Sequence, residues 1–224
     1  MTEQILSRGQ KRQLKTLQVA QAHFMEKGYA GTSVNDIVRE AGGSLNTLYK
    51  QFGNKLGLFE AVFRQITDEL FTPFLNCDYW QDDIQTNLEK FGRALQRVVF
   101  SETGIAINRL VLAEDNAEQS QIHQIFLQHG PEQAINILQR YLKCQQQMGS
   151  FYLVDTELAA AQFLEMIKGP FYYRAMFGEH IESQMLEQAL MQAVQVFLHG
   201  AQCCSDAESS KRNFVTIGGD IKKE

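Results

Sequence analysis

Two adjacent glycines, Gly42 and Gly43, separate two apolar-periodic stretches that are each only a couple of helical turns long. Upstream, Val34, Ile37, Val38 and Ala41 recur at helical spacing, so 34–41 reads as one short helix. Ser33 stands at its N-cap, and Asp36 suits the positive end of the helix dipole. Gly42-Gly43 stops it, because glycine tolerates the left-handed backbone that ends helices. Ser44 then caps a second helix from Leu45 to Gln51. Leu48 and Phe52 lie four apart and turn to a core, leaving Asn46, Thr47, Lys50 and Gln51 outside. Two short helices across a glycine turn make a helix-turn-helix, whose second helix can enter the major groove of DNA.

The flanking chain suits that unit. Ser7 to Lys27 reads as a first helix with Leu17, Ala20 and Phe24 on one face and Gly28 as its stop. Arg8, Lys11, Arg12 and Lys15 stud its start; most read as a solvated helix end, with one or two in reach of DNA phosphates. His23 reads as a partly buried histidine rather than a ligand. Asn54 caps a fourth helix, about Lys55 to Leu75, whose apolar face includes Leu58, Phe59, Val62, Phe63, Ile66 and Leu70. Cys77 to Asp83 is a polar and aromatic connector holding Trp80.

From Ile84 onward every segment has helical period and none alternates like a strand. The expected helices are 84–101, 103–114, 119–129, 132–148, 156–168 and 182–202. Gly130-Pro131 and Gly169-Pro170 break the pattern, since proline lacks a donor and clashes with the preceding turn. The aromatic run Phe171 to Phe177 follows the second break. The tail from Ser205 to Glu224 reads as disordered or added sequence. The chain is therefore all-α, divided into an N-terminal helix-turn-helix domain (1–54), a helical body (55–204) and a tail (205–224).

Charge divides close to that line, within the fourth helix. Residues 1–66 hold nine Lys/Arg against five Asp/Glu, net +4, while residues 67–224 hold twelve against twenty-one, net −9. A basic head on an acidic body suits one DNA-contacting domain, though the whole chain at −5 does not suit indiscriminate nucleic-acid binding. With 44% hydrophobic residues the chain can bury a core. No run reaches the roughly 18 apolar residues that span a bilayer, and the N-terminus lacks a signal-peptide core, so a cytoplasmic protein is expected. Cys77, Cys144, Cys203 and Cys204 form no CxxC pair; the first two read as small buried hydrophobes. The five histidines lack metal-ligand spacing, and no nucleophile elbow, Walker or dinucleotide motif occurs, so neither a metal, a cofactor nor an enzyme activity is expected.

The run from Leu17 to Phe59 resembles the N-terminal domain of the TetR/AcrR family of bacterial transcription regulators. The resemblance rests on Phe24, Gly28-Tyr29, Thr32-Ser33, Ile37, Ala41-Gly42, Ser44, Thr47-Leu48-Tyr49, Phe52, Lys55 and Leu58-Phe59 at fixed spacing. It implies double-stranded operator DNA as a partner, with Leu45, Asn46 and Thr47 facing bases and Lys50 reaching bases or phosphates. Ser33, Ser44, Tyr49, Gln51 and Lys55 fall where the family places phosphate contacts; Tyr49 also reads as a core aromatic. Asn can bond adenine twice, Thr and Leu can touch a thymine methyl, and Lys can donate to guanine. Gly43 departs from the usual apolar residue and loosens the turn, and Leu45-Asn46 replace a usual polar-glycine pair.

The resemblance further implies a homodimer and a small-molecule cavity between the helices of the body. Cavity candidates are Phe91, Phe100, Leu110, His123, Phe126, Phe163, Met166, Phe171, Tyr172, Tyr173 and Met176, with Phe171-Tyr172-Tyr173 beside the proline break foremost. An apolar cavity with a few polar groups suits a small hydrophobic effector. The segments 156–168 and 182–202 are the interface candidates, the latter through Leu186, Leu190, Ala193, Val194 and Phe197. The function so implied is a repressor released from a palindromic operator by its effector. A solidly filled body would instead indicate a DNA-binding regulator gated by a protein partner or acting in DNA organisation.

Overall fold

A computed structural model describes residues 7–76, 79–115 and 117–200, and these fold into eleven α-helices without a β-strand. The expectations for Cys77 and for the 205–224 tail lie outside the described residues.

Helix α1 (Arg8–Gly31) begins in a capping box, Ser7 accepting from the Gln10 amide while the Gln10 side chain accepts from the Ser7 amide. Gly28 leaves helical geometry at φ 70°, which only glycine adopts freely, and swings Tyr29 inward. Tyr29 then lies 5.8 Å from the Phe24 ring and edge-on to Phe59 at 5.5 Å. Helices α2 (Val34–Ala41) and α3 (Leu45–Phe52) follow at the expected places. Ser44 and Asn54 cap α3 and α4 (Lys55–Phe71) through the amides of Thr47 and Gly57. Ser33 occupies the N-cap of α2 but makes no capping bond, contrary to the sequence reading. Gly43 adopts φ 129°, so glycine is what this turn needs rather than a loosening of it. A Cβ at Gly57 would lie 2.0 Å from the Phe52 carbonyl oxygen, so the α3–α4 corner closes only over a bare Cα.

Helix α4 runs on into a 3₁₀ turn, Thr72–Leu75, entered through Pro73. The body comprises α5 (Ile84–Val99), α6 (Glu102–Ala113), α7 (Gln119–His129), α8 (Pro131–Gln147), α9 (Thr156–Lys168), α10 (Phe171–Met176) and α11 (Ser183–Gly200). Pro131 opens α8 at a position where its missing N–H costs nothing, so Gly130-Pro131 is a corner between helices. Gly169, at φ 50°, ends α9 before the Pro170 turn.

Two cores result. The first gathers Ala20, Phe24, Tyr29, Ile37 and Leu48 with Leu58, Phe59, Val62 and Phe63 of α4, and continues into α6 and α7 through Ile107, Val111 and Ile122. The second joins α5, α8, α9 and α11 through Leu88, Phe91, Leu138, Phe163, Ile167, Leu190 and Val194. Each such fully buried large side chain contributes roughly 1.5–3 kcal/mol. Trp80 closes one end of the second core, stacking on Tyr141 at 4.1 Å and donating to the Phe74 carbonyl.

The stripe on α11 expected to face a second copy turns inward instead. Leu190 and Val194 are fully buried, Ala193 and Phe197 nearly so, and Phe197 packs against Phe163 at 5.1 Å. Only Leu186 is half-exposed, and its carbonyl accepts from Gln96. Four helices share this core, so the broad stripe is consumed within one protomer. Cys144, expected to be buried, is exposed on α8.

Candidate nucleic-acid interface and body cavity

Helix α3 presents a continuous polar face. Asn46, Thr47, Lys50 and Gln51 are exposed, Ser44 stands at its head, and Leu45 is half-buried beside them. The helix is fixed from behind by the buried Leu48 and from below by the corner at Phe52. Tyr49 is 44% exposed, so it lies at the surface and outside the core that was its rival place. The Ser44 and Thr47 hydroxyls share a hydrogen bond of 2.9 Å, which holds both at the start of the helix. Ser33, half-buried and free of a capping bond, keeps its hydroxyl for another acceptor or donor. His23 is buried and joined to Glu40 of α2 at 2.9 Å and to Lys27 at 3.3 Å, so it ties α1 to α2.

Lys55 is less free than its place in the sequence suggests. Its ammonium donates to the Ala30 carbonyl at 3.2 Å and lies 4.5 Å over the Tyr29 ring. Burial lowers its proton affinity, while Glu118 and Glu114 oppose that shift. The Tyr29 hydroxyl in turn donates to Glu118 at 3.0 Å, and burial, then that bond, push its pKa well up. Tyr29 and Lys55 thus join the head to the turn between α6 and α7. The sequence signals this link only as an aromatic, Tyr29, directly after Gly28, with nothing to indicate its partner.

The body holds a partly enclosed cavity of about 190 Å³. One wall is α4, through Phe63, Ile66, Thr67, Leu70 and Phe71. The others come from α5 and α6 (Leu95, Val98, Ile107, Asn108), the α7–α8 corner (Phe126, Gly130, Pro131, Ile135), α9 (Ala161, Leu164, Glu165, Lys168) and Tyr172. Its lining is mainly hydrocarbon, and four of its polar residues, Asn108, Glu165, Lys168 and Tyr172, form one linked group. Within it the Tyr172 hydroxyl donates to Asn108 Oδ1 at 2.7 Å, and Lys168 pairs with Glu165 at 2.7 Å.

Comparisons with known proteins agree with this geometry. Residues 17–62 match the family described as bacterial regulatory proteins, tetR family. Residues 86–200, just over half the chain, match the C-terminal domain of AefR-like transcriptional repressors. The chain belongs to the TetR family. Among similar proteins, the uncharacterized HTH-type transcriptional regulator YvkB of Bacillus subtilis (strain 168) is 24% identical over 83% of this chain and 95% of its own. A putative TetR-family regulator from Mesorhizobium loti superposes with TM-score 0.74 at 25% identity, covering 88% of this chain and all of the other. The flavonoid-responsive regulator FrrA superposes with TM-score 0.70 at 22% identity, covering 86% of this chain and 97% of its own, a likeness of fold. The protein is thus a TetR-family DNA-binding transcriptional regulator. No described helix is long and apolar enough to cross a membrane.

Within this TetR-family body, two of the expected cavity residues line the cavity, Phe126 and Tyr172. The others are placed elsewhere. Phe91 and Phe163 fill the second core, and Leu110 fills the first. Phe100 lines a separate surface groove with Arg109. His123 donates to the Val111 carbonyl, Met166 packs on the second core, and Phe171 lies under the Arg174 guanidinium. Tyr173 is 69% exposed, and the Met176 carbonyl accepts from Arg109. Aromatic content pointed to these residues, but aromatic side chains are used first to fill cores. The α4 wall was missed, although its apolar face is too broad for one neighbouring core, and that breadth was the available signal.

Proposed function

We propose that the protein is a repressor that binds a palindromic operator as a homodimer and is released by a small hydrophobic effector held in the body cavity. The observation that carries this reading is the double role of α4. Its first residues meet the recognition helix at the Gly57 corner, and its middle forms a wall of the cavity. A ligand that favours a tilted α4 moves α3 with it. Two recognition helices that must sit about 34–36 Å apart on successive major grooves then lose their register. Such a ligand acts only through its difference in affinity for the two states; a coupling of about 1–3 kcal/mol loosens DNA roughly 5–150-fold. The match of residues 86–200 to the AefR-like repressor family, and the likeness of fold to a flavonoid-responsive regulator, support the same reading.

For the dimer, the outer faces of α9 and α11 take the place of the buried stripe. Leu158 and Val196 are each about half exposed, at 55% and 54%, and the exposed residues of α11 include Gln188, Gln192 and Gln195 without an Asp, Glu, Lys or Arg. The α11 face suits a four-helix bundle formed by two copies, with the exposed Glu157 and Glu165 of α9 at its rim. Val196→Asp is expected to give a monomer of 25.5 kDa by light scattering with the fold intact. A wild-type chain that is monomeric at micromolar concentration contradicts the dimer.

The deciding experiment titrates the full chain against the DNA upstream of its own gene, with and without apolar ligands. Sequence-specific binding that weakens on adding ligand is expected. Specific binding that no ligand changes favours a regulator gated by another protein.

A further inference from the structure

The polar lining of the cavity has a chemistry of its own, apart from its hydrocarbon walls. Most of its hydrogen-bond donors are already used inside the protein. The Thr67 hydroxyl is directed to the Phe63 and Arg64 carbonyls, and the Asn108 amide donates to Gly104. The Tyr172 hydroxyl donates to Asn108. Burial raises the Tyr172 pKa, so that wall carries no phenolate at neutral pH. Lys168 differs. It is the one cation among the described residues lining the cavity. Its ammonium has three donors; one meets Glu165, and the Tyr172 ring lies 5.3 Å away. Its counter-ion Glu165 also lines the cavity, yet in the single protomer the Glu165 side chain is 74% exposed against 22% for Lys168. A pair of that kind, three residues apart at a helix end, holds its partners weakly.

We infer that the effector is a small amphipathic carboxylic acid, its apolar body between α4 and α9 and its carboxylate on Lys168. The inference rests on the effector reading above and narrows it. Size bounds the body: a dry cavity of about 150 Å³ holds benzene, so about 190 Å³ suits one substituted ring or a medium-length acyl chain. Charge sets the head. A hydrocarbon would turn its flank to an ammonium, and an amine would be repelled by it. A carboxylate accepts an N–H that Glu165 leaves unused, in a site where water screens the pair less than it screens Glu165.

The test is calorimetry on the full chain with phenylacetate and octanoate, each beside its neutral amide, and with ethylbenzene as an uncharged probe of the cavity. Wild type is expected to bind each acid at least about tenfold more tightly than its amide, the range of a charge-assisted hydrogen bond. Lys168→Met is expected to remove that gap while leaving ethylbenzene affinity unchanged, which also shows that the variant is folded. Glu165→Gln, which removes the competing carboxylate, is expected to tighten the acids and leave the amides alone. A merely structural ion pair would not give that opposite pair of responses. Acids and amides of equal affinity overturn the acid inference and leave the effector cavity standing, as does binding of ethylbenzene alone. If neither acid nor ethylbenzene binds, both the inference and the effector reading fail.

Discussion

The head and the body use the same α-helix in opposite ways. In the head, helices of eight residues expose one face and leave its side chains largely without protein partners, as on α3 with Asn46, Lys50 and Gln51. In the body, the helices pack their apolar faces on one another, and the feature of interest is a gap among them, bounded by α4 and α9. A site made of protruding side chains can be located from caps and period alone. A site made of an unfilled volume depends on which of many apolar residues reach it, and that is a property of packing. The two regions are not independent, since α4, α6 and α7 contribute to the core that holds α1, α2 and α3.

That last point offers the sharpest break. Phe59→Ala removes a buried ring that touches both Phe24 and Tyr29, and a loss of about 3–5 kcal/mol is expected. If head and body share one core, denaturant unfolding remains a single transition. A separate early transition in the variant would show that the head stands alone. Next in size are Asn46→Ala and Thr47→Ala. Each is expected to cost about 1–3 kcal/mol of operator affinity and relax preference at particular base pairs. Their melting temperatures should stay near wild type, because the side chains are exposed. Unchanged affinity in both variants would remove α3 as the reading helix.

Ser44→Ala sharpens the comparison from the side of stability. The Ser44 cap on the Thr47 amide is expected to contribute about 1 kcal/mol, measured by chemical denaturation, and its loss should also weaken DNA binding. Ser33→Ala should leave stability nearly unchanged, since that hydroxyl makes no cap bond. Equal losses in the two variants would contradict the difference between the caps. Smallest is Tyr172→Ala in the absence of ligand: DNA affinity should stay within about threefold, less than 1 kcal/mol, whereas the response to effector should disappear. A variant that still responds fully would move the ligand away from α10.

Much of the head was legible because its determinants are local. Ser44, Asn54 and the Gly42-Gly43 pair each act within a few residues, and the structure places helix ends where they stand, whereas Gly28, read as the stop of the first helix, is a kink within α1, which runs to Gly31. The body helices were also legible, since the Gly-Pro breaks and the helical period bound them; 156–168 matches α9 residue for residue. Their faces were not. The α11 stripe of Leu190, Val194 and Phe197 has the same pattern whether it meets a second copy or the protomer's own α5 and α9.

The sequence by itself determined the all-α class, the helix-turn-helix and the basic head, because caps, glycine backbone freedom and period are short-range effects. Tertiary structure alone decided that Lys55 rests on Tyr29 and faces Glu118, that the α11 stripe is internal, and that the cavity lies under α4 with Lys168 in its polar lining. These depend on residues tens of positions apart meeting, and an apolar side chain carries no mark of which neighbour it will fill against.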